Sequence, residues 1–530
     1  MLLQRFFDSP RLYQVLFAVL LLPALLLNLD AHHIFVHTDE GRRALVALEM
    51  MLKDEYLAPT LNGVFYYEKP PLFNWLLALS FKAFGNYSLF AFRFPVVVFV
   101  LLFAVSIVMM LKPVMGTKKA WAVMVASIAC GRILFYDSFL GLMDIGLGLL
   151  VFVNFMLFFR LGRDRRYFLL FAATYSIMAV GYLMKGLPSV VFQFFTIIAW
   201  AIYIRDWKFI FHKYNFVGTL FFLVPVGLYY YFYLQVNPDS FATMVEYTIH
   251  QSSQRTVTDY GIWPTIVAIL KFPFDNLYHF APWTILLFAL FSKKARRTVW
   301  QNDFTRFALI AIALNIWVYW TSPGNQPRYL FAFVPLIFAA AVEAYSVLAA
   351  KGKKTIEYSL LVVMALLVLL PIVLMFMPER LPSLHMQTFK LLLLSMAMAF
   401  CVKKYWEHPA QRLLLLGVFL LVVRIGFNWF VLPFKDEQGR IWMQKAIEVT
   451  TIVGENELYV LAPNYCHNGT SFVISSMRGQ VLRVAQEPEQ GVYYIMDDVS
   501  YDHDRFVSLL NFGTRGTQRT LHLVRLKEGA

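Results

Sequence analysis

His37-Thr38-Asp39-Glu40-Gly41-Arg42-Arg43, followed by Asn62-Gly63-Val64-Phe65-Tyr66-Tyr67-Glu68-Lys69-Pro70-Pro71, lies inside a polar stretch, Asp30 to Arg93, that separates two apolar runs. The rest of the chain is mostly apolar. Of 530 residues, 59% are hydrophobic and 15% charged, with 51 Phe and a mean hydropathy of +0.58, far from a soluble average. Acids, bases and phenols concentrated between two greasy runs suggest a charged reaction site at a membrane surface.

Runs long enough to cross a hydrocarbon core, which takes roughly 20 apolar residues, recur along the sequence. They predict a polytopic helical membrane protein with about thirteen spans, near 12–29, 94–111, 120–136, 145–160, 168–184, 187–204, 216–233, 276–292, 305–321, 329–349, 356–377, 388–402 and 412–432. The net charge of +14 falls in short clusters between spans, such as Arg160/Arg163/Arg165/Arg166, Lys293/Lys294/Arg296/Arg297 and Lys351/Lys353/Lys354. That placement is an orientation signal and argues against nucleic-acid binding. Every second connection is basic, which puts the N-terminus in the cytoplasm and, with an odd count, the C-terminus outside. The first run follows Arg5 and Arg11 but lacks a small-residue cleavage site, so it reads as a retained span. Of three cysteines, only Cys466 is in the polar tail; no disulfide pair or zinc spacing results.

The chain therefore divides into a membrane part, 1–432, and a soluble tail, 433–530. Two large external loops fall at 30–93 and 234–275. In the first loop, Gly41 to Leu52 sets Ala44, Leu45, Leu48 and Met51 on one helical face, with Arg42, Arg43 and Glu49 elsewhere. This predicts a helix lying in the interface plane, and Pro71 to Phe84 reads the same way. The tail predicts a small α/β domain: a helix over 435–452 and strands at 458–462, 472–475, 492–496 and 520–524. No inverted repeat of the transporter kind is visible.

This topology gathers Asp39, Glu40, Arg42, Arg43, Tyr66, Glu68, Lys69, Asp137, Asp144, Lys185, His250, Arg255, Arg328 and Tyr329 on one external face. Arg forks, Lys point charges and phenol donors suit phosphate oxygens. A neighbouring carboxylate can act as general base or stabilise a cationic sugar-like transition state. Blander readings exist for each part. Asp39 and Glu40 could cap a helix, Glu68–Lys69 could be a solvated ion pair, and Lys185 and Arg328-Tyr329 could be interfacial anchors.

Asp39-Glu40-x-Arg42 with Leu61-Asn62-Gly63-Val64-x-Tyr66-x-Glu68-Lys69-Pro70-Pro71-Leu72-x-x-Trp75 resembles the first external loop of the lipid-phosphate-dependent GT-C membrane glycosyltransferases. The type in question is protein-mannosyltransferase-like and includes the aminoarabinose transferase of lipid A. Lys185-Gly186, the segment Glu246 to Arg255 with Pro282-Trp283-Thr284, and Gln326-Pro327-Arg328-Tyr329 with Val334-Pro335 continue the match in order, over roughly residues 1–350.

The resemblance implies an inverting sugar transfer, at the periplasmic face of a bacterial inner membrane, from a polyprenyl (undecaprenyl) phosphate donor to lipid A or another glycolipid or protein acceptor. It makes Asp39 the essential carboxylate and Asp144 a second acid, with Asp137 as the alternative. Arg42, Tyr66, Lys69, Lys185, Arg255 and Tyr329 fall around the donor phosphate, and a divalent metal falls between Glu68 and His250. No nucleotide cofactor is implied, and no P-loop is present. The chain departs from the pattern at Met184 and Leu187, which flank the Lys-Gly pair. It also has Asn325-Gln326 where a Lys is common, leaving Arg328 as the candidate for that charge. The rival readings are a protein O-mannosyltransferase and, from another class, a transporter or flippase of an anionic lipid or solute.

Overall fold

The structure, a computed structural model, describes residues 9–32, 38–253, 257–376, 386–463, 466–513 and 520–528. It is predominantly a bundle of apolar helices. Among the described residues, six are long and apolar enough to cross a membrane: Leu89–Met115, Asp144–Arg163, Tyr167–Lys185, Lys213–Val236, Ala350–Met375 and Pro409–Val431. The pair Thr117–Ile128 and Gly131–Phe139, bent by 45°, would make a seventh. Pro10–Leu26, Pro188–Ile204 and Val334–Ser346 are apolar but shorter. Each predicted apolar segment overlaps helical structure, though several are broken. Segment 305–321 divides at Ile316, and 276–292 contains the end of Ile262–His279 followed by a tighter 3-10 run, Trp283–Phe291. Outward faces stay greasy: Val362, Leu366, Leu369 and Val373 are all exposed on one helix, as a lipid-facing surface requires.

The expected loop 234–275 is largely helical, with Phe241–Ser253, Val257–Tyr260 and the start of Ile262–His279. Ile262, Ile266, Leu270, Phe274 and Tyr278 recur every fourth residue and are all exposed. This apolar stripe runs along a helix whose Lys271 and Asp275 keep it from reading as one uninterrupted apolar run.

In the first loop, helix Thr38–Lys53 leads to a two-stranded hairpin, β1 (Thr60–Leu61) and β2 (Val64–Phe65), and then to helix Leu72–Phe84. The second helix agrees with the expectation to within a residue and the first begins three residues earlier, but the environment of the first helix differs. Ala44, Leu45, Val46, Ala47, Leu48, Met50 and also Glu49 and Arg43 are buried. From Arg43 to Met50 the helix is buried by protein instead of floating in an interface, and only its first turn opens to a cavity. Its cover comes from the tail, where helix Asn468–Arg478 packs against it. An added Cβ on Gly41 would lie 2.7 Å from the Gly469 backbone nitrogen, so the absence of a side chain there permits the approach.

The tail contains strands β3 (Leu458–Leu461), β4 (Arg483–Ala485), β5 (Tyr493–Asp497), β6 (Phe506–Gly513) and β7 (Thr520–Leu526) in one sheet of order β4-β3-β5-β7-β6. β3 pairs in parallel with β4 and β5, and β7 pairs antiparallel with β5 and β6. The strand expected at 472–475 is instead the middle of helix Asn468–Arg478, which His467 caps by accepting from Gly469 N at 3.3 Å. Phe472, Val473, Ile474 and Ser475 are all buried. An uninterrupted apolar run reads as a strand by propensity, yet a helix gripped on several sides carries the same run. The expected boundary at 432 falls inside a continuous helical run from Arg412 through the π-turn Phe427–Val431 to Val453.

Candidate active site

The hairpin sets up one wall of the site. Asn62 and Gly63 take φ values of 51° and 78°, the left-handed pair that a tight Asn-Gly hairpin turn needs. Buried Glu49 holds this turn, accepting from Thr60 Oγ1 at 2.6 Å, Asn62 N at 2.6 Å and Gly63 N at 3.1 Å. Burial raises the Glu49 pKa, and those hydrogen bonds pull partly the other way. With the turn fixed, Tyr66 to Lys69 emerge in a defined direction. Arg42 pairs with Glu68, and Arg43 donates to the Tyr66 hydroxyl. Tyr66 in turn donates to Glu68 at 3.2 Å. Burial pushes the Tyr66 phenol up to about 12, so it remains a hydrogen-bond donor at neutral pH.

The facing wall comes from three other elements. Asp144 opens helix Asp144–Arg163, Lys185 ends helix Tyr167–Lys185, and Arg328 and Tyr329 occupy the short turn Pro327–Leu330. These residues form one ionic network. Lys185 pairs with Asp144, and its ammonium sits 4.4 Å from the Tyr329 ring centre. Arg328 reaches Asp39 at 3.0 Å and Asp144 at 3.6 Å. Burial alone would lower the Arg328 pKa, but Asp144, Tyr329 and Asp39 more than offset it, so the net shift is upward and the guanidinium stays charged. The two acids differ in access: the side chain of Asp39 is 38% exposed and that of Asp144 is 8% exposed. Of these two, Asp39 is the one open to the cavity.

Both walls enclose a single cavity of about 1020 Å³, in which five Lys and Arg side chains (Arg42, Arg43, Lys69, Lys185, Arg328) face three carboxylates (Asp39, Glu68, Asp144). That excess suits an anionic ligand. Of the residues singled out from the sequence, Asp39, Arg42, Tyr66, Glu68, Lys69, Asp144, Lys185, His250 and Tyr329 all line it. Arg255 lies outside the described residues. Asp137 is buried and paired with Arg132 instead, which leaves Asp144 as the second acid of this space. Glu40 plays a structural part next door. It receives Arg93 Nε at 2.7 Å, Arg93 Nη2 at 3.2 Å and Gly141 N at 2.9 Å.

Glu68 and His250 do not make a metal site by themselves. Zinc normally takes three or four protein ligands, and among the described residues no three His, Cys, Asp or Glu side chains cluster suitably. Glu68 is already engaged by Arg42 and Tyr66. A resident metal does not fit this donor set.

Two features escaped the sequence reading. Arg328 bridges both acids, a role that only a fold bringing residues 39, 144 and 328 together reveals. A second wall of phenols, Tyr67, Tyr182, Tyr229, Tyr230, Tyr233 and Tyr247, also faces the cavity. The run Tyr229-Tyr230-Tyr231-Phe232-Tyr233 lies within the expected apolar span 216–233 and carries no local mark of a polar task.

No family model matches the chain. A 70-residue stretch is 40% identical to an undecaprenyl phosphate-alpha-4-amino-4-deoxy-L-arabinose arabinosyl transferase of Pseudomonas savastanoi pv. phaseolicola, and covers 13% of either chain. A 68-residue stretch is 38% identical to arabinosyl transferase 2 of the same description from Pseudomonas fluorescens, covering 13% of this chain and 11% of that one. The matched stretches thus span only about an eighth of those relatives. Structural likeness extends much further. The crystal structure of ArnT from Cupriavidus metallidurans bound to undecaprenyl phosphate aligns at a TM-score of 0.69 and 16% identity, covering 97% of this chain and 98% of that one. The apo form aligns at a TM-score of 0.68 and 18% identity, with 97% of each chain covered. The chain therefore shares the fold of ArnT over nearly its whole length.

Proposed function

We propose that this protein is a glycosyltransferase that moves a sugar from a polyprenyl phosphate, undecaprenyl phosphate by likeness to its relatives, onto lipid A or another envelope acceptor. The observation that carries this reading is the meeting of four sequence-distant segments around one cavity. Asp39, Asp144, Lys185 and Arg328 interlock there beside Lys69 and the Arg42–Glu68 pair. The expected thirteen spans, a cytoplasmic N-terminus and a periplasmic C-terminus belong to the same proposal. So do the division at 432 and a location in the bacterial inner membrane with the cavity opening to the periplasm.

In the proposed reaction an acceptor oxygen attacks the anomeric carbon as the bond from that carbon to the phosphate oxygen breaks. The single displacement inverts the anomeric centre and releases the polyprenyl phosphate with the bonding electron pair. Lys69, Lys185, Arg42 and Arg255 stabilise the growing phosphate charge, and Tyr66 and Tyr329 complete its surroundings. Asp39 takes the proton when the acceptor is a hydroxyl. When the acceptor is an already ionised phosphate, Asp39 stabilises the sugar as it becomes cationic. Asp144 keeps Lys185 and Arg328 in position.

Purified protein given radiolabelled undecaprenyl-phosphate sugars and lipid A should transfer label to lipid A. Label reaching only Ser/Thr peptides would reassign the acceptor. Movement of substrate across liposome membranes with no covalent product would replace the enzyme with a transporter.

A further inference from the structure

The wall of phenols calls for a ligand that the ionic part of the cavity does not account for. Tyr67 and Tyr247 pack with ring centres 5.5 Å apart and planes tilted by 36°. Tyr182 and Tyr230 meet through their hydroxyls at 3.2 Å, and Tyr229 is spent on the Leu57 carbonyl at 3.1 Å. Asn237, at the end of helix Lys213–Val236, donates to the Tyr67 hydroxyl at 3.0 Å. A hydrogen bond between two phenols uses one proton and leaves the other. Tyr67 accepts from Asn237 and keeps its own. Among the described residues, neither remaining proton has an acceptor.

The wall's position is also specific. Tyr182 stands one helical turn before Lys185, and Tyr67 is two residues before Lys69, so the phenols flank the cations assigned to the donor phosphate. An isoprenoid tail there would leave both phenol protons without a partner, whereas a hydroxylated ring offers oxygens to them and C–H faces to the aromatic rings.

We propose that Tyr67, Tyr182, Tyr230 and Tyr247 form the subsite for the donor's sugar ring, a hydroxylated pyranose or furanose held by stacking and by phenol donation next to the phosphate. This deepens the glycosyltransferase reading and rests on it. The subsite orients the anomeric carbon toward Asp39, and its phenols discriminate a glycosylated lipid phosphate from a bare one.

The test compares binding of two probes, undecaprenyl phosphate and undecaprenyl-phosphate-linked glucose, to the full chain in nanodiscs. Wild type should bind the glycosylated lipid more tightly. The double variant Tyr67→Phe/Tyr230→Phe keeps the rings and removes two hydroxyls. It should bind bare undecaprenyl phosphate as wild type does and lose roughly tenfold or more in affinity for the glucosylated form. A parallel arm with the 4-amino-4-deoxy-arabinosyl lipid reports whether an ammonium-bearing sugar uses the same wall, and an equal loss there extends the assignment to amino sugars. Equal binding of both lipids by wild type, or an equal loss for both in the variant, overturns the sugar subsite. Failure of wild type to bind either lipid sinks the glycosyltransferase reading itself.

Discussion

Asp39 and Glu40 are adjacent in sequence, and the fold gives them opposite tasks. Asp39 faces the cavity and Arg328, whereas Glu40 is fully buried against Arg93. Asp39→Asn should abolish sugar transfer and leave the thermal midpoint and lipid binding nearly unchanged; undiminished turnover would remove it from the chemistry. Glu40→Ala should strand the Arg93 guanidinium and destabilise the protein by about 3–5 kcal/mol, the usual result of breaking a buried pair from one side. A midpoint within a degree of wild type would contradict that. Arg328 bridges two carboxylates through a planar fork, which Lys cannot reproduce. Arg328→Lys should therefore lower kcat by roughly ten- to a hundredfold, measured against KM for the lipid donor. The acidic pair and the Glu-Lys-Pro-Pro segment were legible because ionisable groups are rare in so apolar a chain. Which acid was structural was not, since only the packing of Arg93 against Leu29 and Ala31 carbonyls, at 2.8 and 2.6 Å, decides it.

Helices were easier to read than their surroundings. Thr38–Lys53 and Leu72–Phe84 follow from apolar spacing, but burial of the first helix depends on a partner more than 400 residues away. Its clearest trace was Gly41, whose need for smallness no local pattern explains. The Asn62-Gly63 turn is similarly local in sequence and far-reaching in effect, because it aims Tyr66 to Lys69. Gly63→Ala, placed at a φ of 78° and 3.1 Å from the Arg483 side chain, should cost about 1 kcal/mol or more. It should also raise KM for the donor, readable as a lower melting midpoint and weaker lipid binding. Glu49 adds a pH signature. Its folded-state pKa lies above the unfolded value, so its contribution is fully present below the unfolded pKa and is lost as pH rises through the folded one. Glu49→Gln should flatten that part of a midpoint-against-pH curve while keeping part of the hydrogen bonding, and an unaltered slope would show that Glu49 is not its source.

At the scale of the whole molecule, orientation is open to direct measurement. Cys130, Cys401 and Cys466 are all buried, so the native chain offers little background to an impermeant thiol reagent. Cysteines placed at Val64 and Val499, both well exposed, should label from the periplasm. One at Phe211, in a basic connection, should label only after the inner membrane is opened, and the reverse pattern would invert the proposed topology. The bundle was legible from hydropathy alone, because backbone polar groups in lipid leave helices as the only economical solution for such runs. The tail's sheet was only half legible: short strands such as β4 carry too few residues to show alternation. Helix Asn468–Arg478, which belongs to that tail, presses directly on the segment bearing Asp39 and Arg42. The last hundred residues thus splint the helix that carries the proposed carboxylate, and a chain shortened at residue 432 should lose both the order around Asp39 and the proposed transfer.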